Sequence, residues 1–271
     1  MNKLIAILLF STVTCFGGSK FVRGKFVIGS MPYVSLPSNN LLNSLQAYWK
    51  LDETGGGGSS RISQVNNVQT MLSDPLNDFG VQSSTSGKIL NCAEGNYYSN
   101  PDVLYNETAQ AINTTLNWSF GGWAYVNDST FDNYQLLFSF VADNGSPQIY
   151  IAPDQLIRFE KNCSGTGDIS TYSYPKDTWI YLTATYNYST LTFSGYINGT
   201  LIGTSSPDID FGACQQFTMF NGPVDAGYPL SNYSFFGRLD EWGFWNKCLT
   251  QTDINNLYNN GNGLPYSSFT N

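Results

Sequence analysis

Two Leu-Asp-Glu triplets hold the acids best suited to chemistry: Asp52 with Glu53, and, far along the chain, Asp240 with Glu241. Paired carboxylates support two kinds of work. Two of them can carry out glycoside hydrolysis, one as acid and the other as base or nucleophile. Several together can hold calcium, which takes roughly six to eight oxygen ligands. The bland alternative is that they are polar strand-end residues bonded to loop backbone amides. There is no histidine. Its absence removes the usual general base, the Ser-His-Asp arrangement and the commonest zinc ligand together. Only five glutamates occur, Glu53, Glu94, Glu107, Glu160 and Glu241, and none has an acid two residues away.

Five cysteines are present, none spaced Cys-x-x-Cys, so neither a zinc ribbon nor a redox pair is indicated. Tyrosines can stack on pyranose rings. Tyr97, Tyr98, Tyr105, Tyr134, Tyr172, Tyr174, Tyr228 and Tyr233 fall in segments that read as loops, and rim packing is the competing reading for each. Asn-x-Ser/Thr sequons begin at Asn106, Asn113, Asn117, Asn127, Asn144, Asn162, Asn187, Asn198 and Asn232, and each marks a surface loop if the host makes N-glycans.

The elements that must position these groups are strands. Of 271 residues, 41% are hydrophobic and 15% aromatic, enough for a sizeable core, while charged residues are only 12%. The net charge of −8 opposes contact with phosphate backbones, so no nucleic-acid partner is expected. Asn2 and Lys3 precede an apolar run over 4–10 and small or hydroxylated residues up to Gly18. This reads as a signal peptide over 1–18, too short to span a bilayer. Cys15 leaves with it, and four cysteines remain in an oxidising compartment. Residues 19–44 read as a linker. No later apolar run is long enough to cross a membrane, so the mature chain carries no expected span.

From Leu45 the pattern changes to period 2: Leu45, Ala47, Trp49 and Leu51 alternate with Gln46, Tyr48, Lys50 and Asp52. Further strand-like runs cover 88–93, 118–126, 134–141, 148–151, 156–160, 179–186, 191–197, 201–204, 217–220 and 235–245. A bulge is expected near Gly237, where Phe236, Leu239 and Trp242 break strict alternation. Asn198-Gly199 is a strong hairpin signal. Thr250, Asp253, Ile254, Leu257, Tyr258 and Gly261 spell one short capped helix. The fold class read from this is all-β: an antiparallel β-sandwich or barrel with one C-terminal helix, over 45–264, followed by a tail over 265–271.

Four segments resemble the laminin-G-like, concanavalin-A-like jelly-roll domains of the bacterial, phage and metagenomic type: residues 48–55 (YWKLDETG), 118–123 (WSFGGW), 179 through the NGTLIG at 198–203, and 236–246 (FGRLDEWGFWN). The resemblance implies the sandwich fold, and it places the first and last strands side by side. Asp52, Glu53, Asp240 and Glu241 would then converge, with one calcium ion as the candidate occupant. It also puts the Cys92 strand near the last strand, from which follows the expected pairing Cys92–Cys248, leaving Cys163–Cys214. Four cysteines allow three pairings, and Gly165 and Gly212 give the second pair room to bend. Two departures stand out. Relatives often carry an Asp soon after the first Gly-rich loop, where this chain has Arg61-Ile62-Ser63-Gln64, and an aromatic where it has Glu94-Gly95. The E-x-D-x-E pattern of the fold's glucanases is absent, so no enzyme is expected. The leading reading is a secreted or surface recognition module that binds an extracellular glycan or surface protein. The alternatives are a structural or decoration protein of a virus particle or cell surface and, third, a glycoside hydrolase.

Overall fold

The computed structural model describes residues 39–56, 60–65, 71–73, 80–96, 102–106, 116–127, 133–142, 147–160, 169–206, 214–222, 224–225, 228–229 and 233–271. They belong to one compact unit, Ser38–Asn271, and the leader and most of the linker lie outside them. Among the described residues eighteen strands form: β1 Leu45–Trp49, β2 Ser60–Arg61, β3 Met71–Ser73, β4 Gln82–Ser84, β5 Cys92–Gly95, β6 Leu104–Asn106, β7 Trp118–Val126, β8 Gln135–Ala142 and β9 Gln148–Ile151. Then come β10 Leu156–Glu160, β11 Ile169–Ser173, β12 Trp179–Asn187, β13 Thr192–Ile197, β14 Thr200–Ser205, β15 Cys214–Met219, β16 Val224–Asp225, β17 Tyr228–Pro229 and β18 Gly237–Trp245.

They build two antiparallel eight-stranded sheets. The first runs β14-β13-β12-β7-β18-β5-β4, with β1 also paired to β18, and the second runs β11-β10-β9-β8-β15-β6-β3-β2. A two-stranded ribbon, β16-β17, stands apart from both. Period-2 alternation explains the arrangement. Along β7, Trp118, Phe120, Ala124 and Val126 face the other sheet, where Phe138, Phe140, Ile149, Ile157, Phe159 and Phe217 meet them in one core.

A second apolar cluster lies on the outer face of the first sheet. Tyr48, Trp123, Tyr181 and Trp245 are covered there by Leu249, Ile254 and Leu257 of the helix region and by Phe269. Helix α1, Gln251–Tyr258, has its predicted capping box: Thr250 accepts from Asp253 N, and the Asp253 carboxylate accepts from Thr250 N. Its stop is Asn259 in the left-handed region, two residues before the expected Gly261. The segment read as a tail packs into the domain. Phe269 is buried, Tyr266 stacks on Tyr48, and Leu42 N donates to Thr270 O.

Two local expectations are corrected. The bulge in the last strand sits at Glu241, not near Gly237. The β18–β7 register slips between Asp240 and Gly243, and Glu241 has φ 53°. Gly237 is instead a close-approach position, because a Cβ there would lie 2.2 Å from Tyr125 O. The strand expected over 88–93 begins at Cys92. Lys88, Ile89 and Asn91 give their amides to acidic side chains rather than to a ladder.

Candidate functional site

The Glu241 bulge decides where the acids go. One extra residue in a strand lets two successive side chains share a face. Asp240 pairs opposite Trp123, while Glu241 reaches Tyr48, so both carboxyls lie on the outer face of the first sheet beneath the aromatic cluster. Asp240 is fully buried, and its Oδ2 accepts from Lys88 N at 2.7 Å and Ile89 N at 2.8 Å. Burial pushes its carboxyl up to about 9; the two amides oppose that shift and the neighbouring Glu241 adds to it. Glu241 Oε2 accepts from the Tyr48 hydroxyl at 2.5 Å, and burial pushes this acid up to about 7. The same burial, with Glu241 alongside, raises the Tyr48 phenol well above its ordinary value. Asp52 repels both acids, and its Oδ1 accepts from Asn91 N at 3.0 Å. Glu53 turns elsewhere, to Ile62 N at 2.9 Å and toward Arg61 at 3.7 Å.

The structure thus brings Asp52, Asp240 and Glu241 close enough to repel one another and leaves Glu53 aside. The donor chemistry does not fit calcium. Each of these carboxyls is engaged by N–H or O–H groups, and burial raises Asp240 to about 9 and Glu241 to about 7, which opposes the ionised carboxylates that a cluster of acids offers a cation. Among the described residues no group of three or more Asp, Glu, Cys or His is placed to share an ion. Asp52 and Asp240 follow the bland reading in accepting from loop amides, whereas Glu241, inside β18, accepts from the Tyr48 hydroxyl, and Asp240 Oδ1 has no hydrogen-bond partner among the described residues.

The expected Cys92–Cys248 bridge is also corrected: both are free thiols. The antiparallel register pairs Ala93 with Leu239, which sets Cys92 beside Asp240. Cys248 lies eight residues further along, past the far end of β18. The five residues from Asp240 to the end of β18 alone span roughly 16 Å at ~3.3 Å per residue, against the ~4.4–6.8 Å between Cα atoms that a disulfide spans. Burial pushes the Cys92 thiol up to about 12. Cys163 lies outside the described residues, and Cys214 opens β15 opposite Ala142. Of the sequons, Asn106 is buried on β6, and Asn198 gives its side-chain oxygen to Tyr181 N.

The outer face of the second sheet has a different chemistry. Outward positions read Gln148 and Tyr150 on β9, Arg158 and Glu160 on β10, Leu136 and Ser139 on β8, and Thr218 on β15. Their inward neighbours Ile149, Ile151, Ile157, Phe159, Phe140 and Phe217 fill the core. Glu160, Gln148, Ser139, Thr218 and Tyr105 form one row across five strands, and Gln148 Nε2 donates to Glu160 Oε2.

Beside this row three tyrosines make a platform. Tyr134 packs edge-on against Tyr150 and against Tyr233, with centroids 5.7 Å apart in both cases. Tyr150 is buried on Leu136 and Ala152, whereas Tyr134 is 40% and Tyr233 36% exposed. Arg158, directly across from Tyr150, hydrogen-bonds its phenol and pairs with Asp154. The rim is held from below. Leu136 N donates to Tyr233 O at 2.8 Å, Tyr233 N to the Asn221 side chain at 3.2 Å, and Phe236 N to the Gln135 side chain at 3.0 Å.

Tyr134 and Tyr233 were among the tyrosines singled out from sequence. Tyr174 is instead a core residue and Tyr105 is buried on β6. Tyr172 and Tyr228 lie on β11 and β17, and Tyr97 and Tyr98 lie outside the described residues. Sequence reasoning missed Tyr150 and Arg158. The signal was there in the alternation of Gln148-Ile149-Tyr150-Ile151 and Leu156-Ile157-Arg158-Phe159, but which outward face carried them was not.

No curated protein sequence matches the chain. Solved structures share its fold. The sialidase of Trypanosoma rangeli is 12% identical with a TM-score of 0.60, over 82% of this chain and 34% of that one. The ligand-binding domain of botulinum neurotoxin serotype D, solved with N-acetylneuraminic acid, is 14% identical with a TM-score of 0.59, over 82% of this chain and 51% of that one. The chain therefore spans about a third to a half of the length of these structures. Residues 95–255, more than half of the chain, match the family profile described as the concanavalin A-like lectin/glucanases superfamily. With the two-sheet sandwich and its single C-terminal helix, this match means that the chain belongs to that superfamily.

Proposed function

We propose that this chain is an exported glycan-binding module whose contact surface is the Tyr134, Tyr150 and Tyr233 platform with Arg158 and Asp154 at its edge. The observation that carries the reading is a pair of partly exposed rings, Tyr134 and Tyr233, packed edge-on at a sheet rim over buried Tyr150. Aromatic rings with little conformational freedom suit apolar sugar faces, and an adjacent arginine–carboxylate pair suits ring hydroxyls. The sugar complex of the similar neurotoxin domain supports the ligand class. Binding rather than hydrolysis is favoured because the acids that approach one another, Asp52, Asp240 and Glu241, are bonded to amides and to Tyr48 beneath the helix side.

A glycan array probed with the full secreted chain tests this, with sugar release measured in parallel. The expected result is retention on a subset of glycans without turnover. Silence on every neutral and sialylated glycan would overturn the reading and favour a structural role on a particle or cell surface. Release of sugar would favour the hydrolase reading.

A further inference from the structure

Arg61 is among the largest fully buried side chains, with no exposure to solvent. Its two terminal nitrogens sit among oxygens, while Nε has no hydrogen-bond partner among the described residues. Nη1 donates to Glu53 O and Ser83 Oγ, each at 3.1 Å, and lies 3.7 Å from the Glu53 carboxylate. Nη2 donates to Gly55 O and Val81 O, each at 3.2 Å. The Ser83 hydroxyl itself reaches the carbonyls of Glu53 and Gly55. Three segments distant in sequence thus meet on one cation: the Gly-rich loop after β1, strand β2 that carries Arg61, and the stretch leading into β4. A buried charge without partners costs several kcal/mol, so such a side chain persists only where oxygens converge on it. Conversely, three carbonyls, a hydroxyl and a carboxylate turned toward one point require a positive centre there.

We propose that Arg61 is this domain's resident cation, filling a cage whose oxygen ligands are those of a calcium site, so that the fold is independent of calcium and the metal site is latent beneath the arginine. The ligand types suit a hard divalent ion, which takes carbonyl, hydroxyl and carboxylate oxygens at about 2.3–2.6 Å. The oxygens lie 3.1–3.2 Å from one or the other of two guanidinium nitrogens and the Glu53 carboxylate 3.7 Å from Nη1, so closing them on a single ion takes movements of about 1 Å or more, and the adjoining loop carries Gly55 and Gly56. Arginine fits the cage as it stands because its planar fork supplies several donors in fixed directions together with the charge. This inference does not rest on glycan binding.

Thermal unfolding of the full chain and of Arg61 variants, in millimolar calcium and in chelator, provides the test. The native chain should give one melting curve in both conditions. Arg61→Ala should melt lower by on the order of 10 °C in chelator, as expected for stripping the partner from a buried charge and its oxygens. Millimolar calcium should return several degrees of that loss by binding only the folded form. Arg61→Lys keeps a positive charge in the cage and should lose less and stay indifferent to calcium. An Arg61→Ala chain that folds only with calcium gives the same support. The proposal is overturned if calcium raises the melting temperature of the native chain, or if it leaves Arg61→Ala unchanged or unfolded. It is also overturned if Arg61→Lys is as unstable as Arg61→Ala in both conditions.

Discussion

The two outer faces of this sandwich obey the same period-2 rule and meet opposite fates. On the first sheet the outward side chains are Tyr48, Trp123, Tyr181 and Trp245, and helix α1 with the C-terminal segment covers them. On the second sheet they are Gln148, Ser139, Thr218 and Glu160, which are buried as well, and Arg158, while Tyr134 and Tyr233 stay partly in solvent at the rim beside buried Tyr150. The first face uses its aromatics for stability and seals two raised carboxyls beneath them. The second keeps two of its aromatics, Tyr134 and Tyr233, partly in water at its rim. An aromatic side chain is therefore not a binding signal by itself. What distinguishes the two faces is their chemistry: aromatic side chains under the helix on the first sheet, a buried polar row with a partly exposed tyrosine rim on the second.

The largest effect should come from opening the covered face. Trp245 is fully buried, packs edge-on against Tyr48, and donates from Nε1 to Leu41 O at 3.0 Å. Trp245→Ala should cost about 3–5 kcal/mol and lower the melting temperature by roughly 10 °C, with glycan retention of the folded protein unchanged. A shift of only a degree or two would mean the helix and C-terminal segment are loosely seated.

A second effect follows from the acids sealed there. Folding raises Asp240 from 3.8 to about 9 and Glu241 from 4.5 to about 7, so the folded state binds protons more tightly than the unfolded state. Their stabilising contribution is then complete below about pH 4 and is lost as pH rises through 7 and 9. Melting temperature should fall across that window. Asp240→Asn, a neutral stand-in that still accepts from Lys88 N and Ile89 N, should flatten the fall. Parallel pH profiles for the variant and the native chain would contradict the burial of this acid.

Changes at the tyrosine rim should reverse the pattern. Tyr134→Ala and Tyr233→Ala should each move stability by about 1 kcal/mol or less, since both side chains are partly exposed. Each should weaken glycan retention by roughly 3- to 10-fold, the value of about one aromatic contact. If stability falls while retention holds, the platform is rim packing. The smallest effect concerns the thiols. In the native chain an alkylating reagent should modify Cys248 and spare buried Cys92 until the protein is unfolded. A Cys92–Cys248 peptide after non-reducing digestion would show the β5–β18 register to be wrong.

Much of the strand framework was legible because a strand buried on one face must alternate. The bounds of β7, β9 and β10 follow from their side chains alone, and so does the capped helix at Thr250, whose signals are local. The site was legible only in fragments. Tyr134 and Tyr233 are far apart in sequence and acquire a joint role only when Leu136 N finds Tyr233 O. Asp52, Asp240 and Glu241 were rightly expected to approach one another, but the amides of Lys88, Ile89 and Asn91 that engage them come from a stretch that reads as strand.

By itself, then, the amino-acid sequence determined the fold class, the periodic core and the lack of imidazole chemistry, since these depend on composition and on neighbours a few residues apart. The tertiary structure alone decided that the bulge falls at Glu241, that Cys92 sits beside the middle of β18 while Cys248 lies past its far end, that Arg61 is surrounded by oxygens, and which tyrosines reach the rim. Each of these depends on register and on long-range closure. A slip of one residue turns every side chain to the other face, and no local pattern records which distant segment will arrive to cover it.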